Sequence, residues 1–174
     1  MSYYNLQSSE RLRFRQLTQA DIPLWMPFFE NNDSLPYLGI DLSKPKEAQA
    51  EAWIGYQLAR YERGDFGHLA AELKSTGEFI GMGGIVTRDL EGQQEYEIAY
   101  SLLPSFWGRG FATEIATHLK VYGMAHLDCE RLISIIHIDN HASKKVAKKN
   151  GMTVQFKTKY FDMDVEVFGI EQKA

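Results

Sequence analysis

The feature that most restricts the fold is a change of pattern near residue 104. Ahead of it lie three short β-like stretches: His68 to Leu73, Glu78 to Val86 after the Ser75-Thr76-Gly77 turn, and Glu95 to Leu103 after Gly92. Short strands joined by tight turns predict an antiparallel meander. Behind it comes an amphipathic helix, with Phe111, Ile115, Leu119 and Tyr122 on one stripe and Ala112 and Ala116 beside it. Arg131 to Ile138 follows, with isoleucine on both faces. A strand buried on both faces and reached through a helix predicts a parallel partner. The chain therefore joins a meander to one strand–helix–strand crossover, an α+β arrangement.

The flanking segments extend this plan. Leu12 to Arg15 alternates apolar and basic residues, the period of a half-buried strand. Thr18 and Asp21 resemble a capping box, with Asp in place of Glu, before a helix from Ala20 to Phe29 that Pro27 should end or kink. Asn31 to Lys44 reads as a loop. Ser43 and Pro45 mark a second helix start, and Gly64 its stop. Ala50, Trp53, Ile54, Leu58 and Tyr61 fall at helical spacing, with Gln57 a polar exception. A short helix from Ser143 to Asn150 ends at Gly151, and strands at 153–159 and 165–170 close the chain. No repeat or linker divides it, so one domain over residues 1–174 is expected.

Composition excludes several function classes. The 174 residues are 44% apolar and 24% charged, with a net charge of −4. Nucleic-acid binding usually leaves a basic stripe, and none is visible. The one cysteine, Cys129, cannot form an intrachain disulfide, and no Cys/His spacing suits a metal. Leu132 to Ile138 is too short to span a bilayer. Met1 to Asn5 lacks a secretory leader pattern, so a reducing cytoplasm is the expected compartment.

The chemistry is concentrated between Pro104 and Thr113. This segment follows a strand and opens a helix, where backbone N–H groups lack intrahelical partners and the dipole is positive. Gly108 and Gly110 would let an anionic phosphate approach the backbone. A dinucleotide fingerprint would need a third glycine where Thr113 stands, and a P-loop would need a Gly-Lys-Ser/Thr run. Both common phosphate loops therefore fail.

The run Phe106-Trp107-Gly108-Arg109-Gly110-Phe111-Ala112 resembles the acetyl-CoA loop of the GCN5-related N-acetyltransferases, particularly their RimJ/RimL branch. Trp107 stands where the wider family has Gln or Arg. Further segments are similar in the same order: Ser9 to Arg15, Tyr61 to Gly64, Thr76 to Gly81, Asn140 to Ser143 and Lys149 to Met152. The resemblance covers roughly residues 9–159. It implies a mixed, mostly antiparallel sheet of about six to seven strands with flanking helices. A splayed parallel strand pair would hold acetyl-CoA, with no metal.

On that resemblance, the pantetheine arm pairs with backbone near Leu102 and Leu103. The diphosphate lies on the N–H groups of Gly108, Arg109, Gly110, Phe111, Ala112 and Thr113, and Asn140 bonds the pantetheine or acetyl end. Tyr37 and Leu38 border the acceptor or are ordinary loop packing. One lysine of the run Lys144, Lys145, Lys148 and Lys149 reaches the 3′-phosphate, or all four are a solvated face.

Acetyl transfer needs a neutral amine, yet an amine with a pKa near 10.4 is neutral in only about one molecule in 2,000 at pH 7. Glu97 is the candidate base; the alternative is a carboxylate facing solvent on a one-sided sheet. Ser143 is the candidate proton donor to the departing sulfur, or a helix cap. The tyrosine that some family members carry seven residues after the Asn is Ala147 here. His68 and His137 are expected to be satisfied structural residues. The expected activity is transfer of acetyl from acetyl-CoA to a primary amine in a ternary complex, a protein N-terminal amine being one acceptor. Alternatives are a small amine (polyamine or antibiotic) or a non-catalytic acyl-CoA sensor. The expected assembly is a monomer or homodimer.

Overall fold

The structure is a computed structural model that describes residues 3–5 and 7–171. Its eight strands are β1 (Gln7–Ser8), β2 (Leu12–Gln16), β3 (His68–Leu73), β4 (Phe79–Leu90), β5 (Gln93–Leu102), β6 (Arg131–His137), β7 (Thr153–Tyr160) and β8 (Met163–Glu171). The α-helices are α1 (Ile22–Trp25), α2 (Lys46–Glu62), α3 (Phe111–His126) and α4 (His141–Lys149). The strands form one sheet in the order β1-β2-β3-β4-β5-β6-β8-β7. The expected six to seven strands become eight because two residues of β1 pair with Arg13 and Phe14. A two-residue strand carries no readable period. Of the N-terminal segment lacking a leader pattern, Met1 and Ser2 lie outside the described residues.

The meander is present, with β2 to β5 paired antiparallel in succession. The crossover through α3 brings β6 beside β5 in parallel. β6 is buried on both faces: Leu132 enters the main core, Ile136 a cluster with Met152 and Phe168, and Ile133 a cluster with Leu90 and Val167. This supplies the apolar environment on both sides that its isoleucines indicated.

Local chemistry explains the helices. Asp21 accepts a 2.7 Å hydrogen bond from the Thr18 backbone N–H and is ion-paired to Arg15, which also holds Glu72. The expected single helix at 20–29 is broken. Only Ile22–Trp25 is α-helical, and Met26–Phe29 tightens into a 3₁₀ turn at Pro27. Proline removes a donor and crowds the preceding turn, so the regular ladder cannot pass. In α2 the polar exception Gln57 is buried, because its Oε1 accepts from the His68 N–H at 2.8 Å. α4 begins two residues earlier than expected, with Asn140 as its cap.

Close packing requires glycine at β4. A Cβ on Gly84 would lie 2.3 Å from the Gly67 carbonyl oxygen and 2.7 Å from His68 Cα, both backbone atoms. Gly55 on exposed α2 has open space around it. Gly84→Ala should therefore lower stability by about 1–3 kcal/mol. Gly55→Ala should raise it by about 1 kcal/mol, because helix interiors disfavour glycine. Denaturant melts of both variants check this, and equal shifts would contradict the packing.

Candidate active site

The site grows from a divergence in the sheet. β5 and β6 pair only at Tyr96 with Leu132 and Glu97 with Ile133. Beyond these positions the strands separate, and side chains bridge the opening. The Ser134 hydroxyl donates to the Ile98 carbonyl at 2.8 Å, and the Ile135 N–H donates to Glu97 Oε1 at 3.4 Å. The Trp107 indole N–H donates to the Leu102 carbonyl at 2.8 Å. Ile98 and Leu102 thus turn their backbone groups toward the gap. Alternate strand residues share a direction, so Tyr100 between them does too. Leu103 points the other way: its N–H donates to the Ile80 carbonyl at 3.0 Å. Of the two backbone positions expected at the gap, only Leu102 faces it, and its carbonyl already holds the Trp107 indole.

One mouth of this opening is a cleft of about 360 Å³. Its floor includes Gly108, Gly110, Phe111, Ala112 and Thr113, and its far wall includes Asn140 and Ser143. Gly108 and Gly110 have φ of 72° and 81°, left-handed values that glycine adopts without strain. A Cβ on Gly108 would meet nothing within 4 Å, so the surface above the loop is open. Arg109 is not among the cleft-lining residues; its guanidinium lies over the Phe106 and Phe111 rings at 5.2 and 5.1 Å.

Electrostatics suit an anion there. The one acid of the first turn of α3, Glu114, would repel a phosphate. It is instead bonded by Arg11 Nε and the Ser9 hydroxyl, both at 2.6 Å. Arg11 also donates to the Arg109 carbonyl at 3.1 Å, fastening the loop to the start of β2. Of the basic run, Lys145 and Lys149 line the cleft, while Lys144 is ion-paired to Glu166 at 2.8 Å. Left-handed glycines, an open surface above them, a neutralised acid and two lysines together fit a diphosphate-bearing ligand.

A second cavity of about 180 Å³ lies on the other side of the gap. Leu38, Tyr100, Ser101, Asn140 and Ser143 line both cavities, so a group transferred between them would pass these residues. Tyr37 lines the second cavity and stacks on His137 at 4.8 Å. Glu97 also lines it, but does not face solvent as a one-sided sheet would have it: it is 7% exposed, and Arg88 Nε donates to its Oε2 at 2.6 Å.

Two expectations change, and a third residue joins the site. Ser143 does not cap α4. Asn140 Oδ1 accepts from the Ser143 N–H at 3.1 Å, leaving the Ser143 hydroxyl outside the cap. His68 is buried with neither ring nitrogen bonded, so it is not a satisfied structural residue. Tyr100, which lies inside the expected Glu95 to Leu103 strand and belongs to no sequence motif, lines both cavities and donates to the Ser143 carbonyl at 3.2 Å. Burial pushes its pKa well up, keeping the hydroxyl protonated. Its parity opposite to Glu97 hid it, because strand alternation assumes that one face stays covered. Among the described residues no cluster of three or more His, Cys, Asp or Glu could hold a metal, and no helix is long and apolar enough to cross a membrane.

Residues 11–153 match the family model described as an acetyltransferase (GNAT) domain. The Bacillus subtilis protein YkkB is 32% identical over 146 residues, covering 83% of both chains. An acetyltransferase from Agrobacterium tumefaciens superposes with a TM-score of 0.78 at 27% identity, covering 96% of this chain and 94% of that one. RimL, a ribosomal L7/L12 α-N-protein acetyltransferase solved with coenzyme A, shares the fold at a TM-score of 0.76 and 18% identity, covering 95% and 97%.

The capping correction has a measurable consequence. Asn140→Ala should cost about 1 kcal/mol of stability, the usual loss for a cap, whereas Ser143→Ala should leave the cap energy in place. Thermal melts of the two variants check this. A larger loss for Ser143→Ala would return the cap to the serine.

Proposed function

This chain belongs to the GNAT acetyltransferase family, an acetyl-CoA-dependent acyltransferase family, and from that premise we propose that residues 1–174 act as one domain that acetylates a primary amine in a ternary complex. The observation that carries this reading is the meeting of two cavities at Tyr100, Ser101, Asn140 and Ser143. A sensor would need the first cavity alone.

Acetyl-CoA supplies an activated acetyl thioester. Gly108 to Thr113 would hold its diphosphate, with Lys145 and Lys149 nearby for further phosphate charge. The Tyr100 backbone and Asn140 would hold the arm in the gap. Glu97 takes the proton from the acceptor ammonium, directly or through water. Arg88 holds its Oε2, while Oε1 accepts only the long Ile135 N–H bond and keeps a lone pair to receive the proton. The freed nitrogen lone pair attacks the acyl carbon, and the carbon–sulfur bond breaks. The Ser143 hydroxyl, free of capping duty, gives a proton to the departing sulfur and regains one from the attacking nitrogen as the neutral amide forms. Tyr37 and Leu38 border the incoming amine.

Two variants test the assignment together. Gly110→Glu introduces a negative charge and a side chain at φ 81°, and should abolish measurable coenzyme A binding by calorimetry in a folded protein. Glu97→Gln should keep that binding and lower single-turnover acetyl transfer by roughly 10²-fold, the scale of general-base catalysis. Undiminished binding in the first variant or undiminished turnover in the second would reject the corresponding role.

A further inference from the structure

The acceptor cavity does not end at Glu97. Leu38, Trp53, His68 and Arg88 wall it and also wall another cavity of about 350 Å³, bounded by residues of the 38–44 segment and α2. Two buried polar groups on this adjoining cavity lack a hydrogen-bond partner. His68 is 6% exposed with both ring nitrogens unbonded, and Gln49 Oε1 is buried and unbonded while its Nε2 donates to the Lys44 carbonyl at 2.8 Å. Buried polar groups are nearly always bonded, so two orphans on one cavity mark places where a ligand completes the bonding. Much of the remaining wall is apolar, including Phe29, Ile40, Ala52 and Trp53.

Charge narrows the ligand further. Burial, helped by Arg88 and Arg60, lowers the His68 pKa to about 3, so the ring is a neutral donor–acceptor at ordinary pH. The two carboxylates on the combined walls are matched by two cations. Glu97 pairs with Arg88, and Asp41 accepts from the Ser43 hydroxyl at 2.6 Å and its N–H at 3.1 Å. Lys44 supplies the second positive charge on the same walls. A polyamine would bring several cations against walls whose charged side chains carry no net negative charge.

Building on the amine-acetyltransferase reading, we propose that the adjoining cavity is the specificity subsite for the acceptor. It takes the uncharged apolar body of a small primary amine whose distal hydroxyl donates to Gln49 Oε1 and bonds the His68 ring. The amine then lies toward Glu97, with Trp53 and Leu38 against the body.

The test compares tyramine, phenethylamine, which lacks the hydroxyl, and spermidine. Thiol release from acetyl-CoA gives kcat/KM, and calorimetry on coenzyme A-saturated protein gives binding. Tyramine should exceed phenethylamine by about tenfold, the scale of one satisfied buried hydrogen bond, with spermidine below both. His68→Phe and Gln49→Met, each checked by melting, should bring the tyramine-to-phenethylamine ratio toward unity. A preference for spermidine, or a ratio unchanged in both variants, overturns the subsite. Tyramine binding with the expected preference but no turnover would reject the amine-acetyltransferase reading and leave the subsite standing. Turnover of other amines without tyramine binding would do the reverse.

Discussion

The structure depends on β5 and β6 pairing at two positions and then parting. A separated strand pair leaves N–H and C=O groups without ladder partners, and a buried unpaired group costs about as much as a lost hydrogen bond. The chain meets part of that cost with side chains. Ser134 bonds Ile98, Glu97 accepts from Ile135, and Trp107 bonds Leu102. The Tyr100 backbone is the position between these braces and is the natural partner for an extended ligand. Glu97 thereby serves two functions, bracing the apex of the gap and presenting an oxygen to the acceptor cavity.

Everything around the gap keeps it open. The crossover carries α3 over the sheet, and the start of α3 delivers the glycine loop to one mouth. Arg11, just before β2, fastens that loop through the Arg109 carbonyl and the first turn of α3 through Glu114. It also removes an acid from the helix N-terminus where an anion would bind. On the other side, β8 pairs with β6 at seven positions, so the outward strand is held by its far neighbour. The open edge is therefore stable without a ligand, and binding need not build it.

Much of this was legible in the sequence. The meander, the crossover and the doubly buried β6 follow from residue periods, because burial on one or two faces writes itself into apolar spacing. Gly108 and Gly110 were legible because only glycine tolerates their backbone angles at no cost. What escaped depends on distant partners. Nothing near Glu97 in sequence announces Arg88 nine residues earlier as its ion-pair partner, and burial of Gln57 makes sense only once the His68 N–H is beside it. The alternative that Ser143 caps α4 failed because serine and asparagine are equally good caps, and the helix start differed by two residues. Tyr100 escaped because a splayed strand offers both of its faces to cavities.

The central claim is that the gap between β5 and β6, with the loop at its mouth, receives acetyl-CoA. Residue-resolved amide hydrogen exchange with and without acetyl-CoA tests this most directly. The account predicts slowed exchange at Tyr100 and at the amides from Gly108 to Thr113 when acetyl-CoA is present, with the β7–β8 hairpin unchanged. Binding that leaves these amides unprotected, or protects only the hairpin, would contradict it.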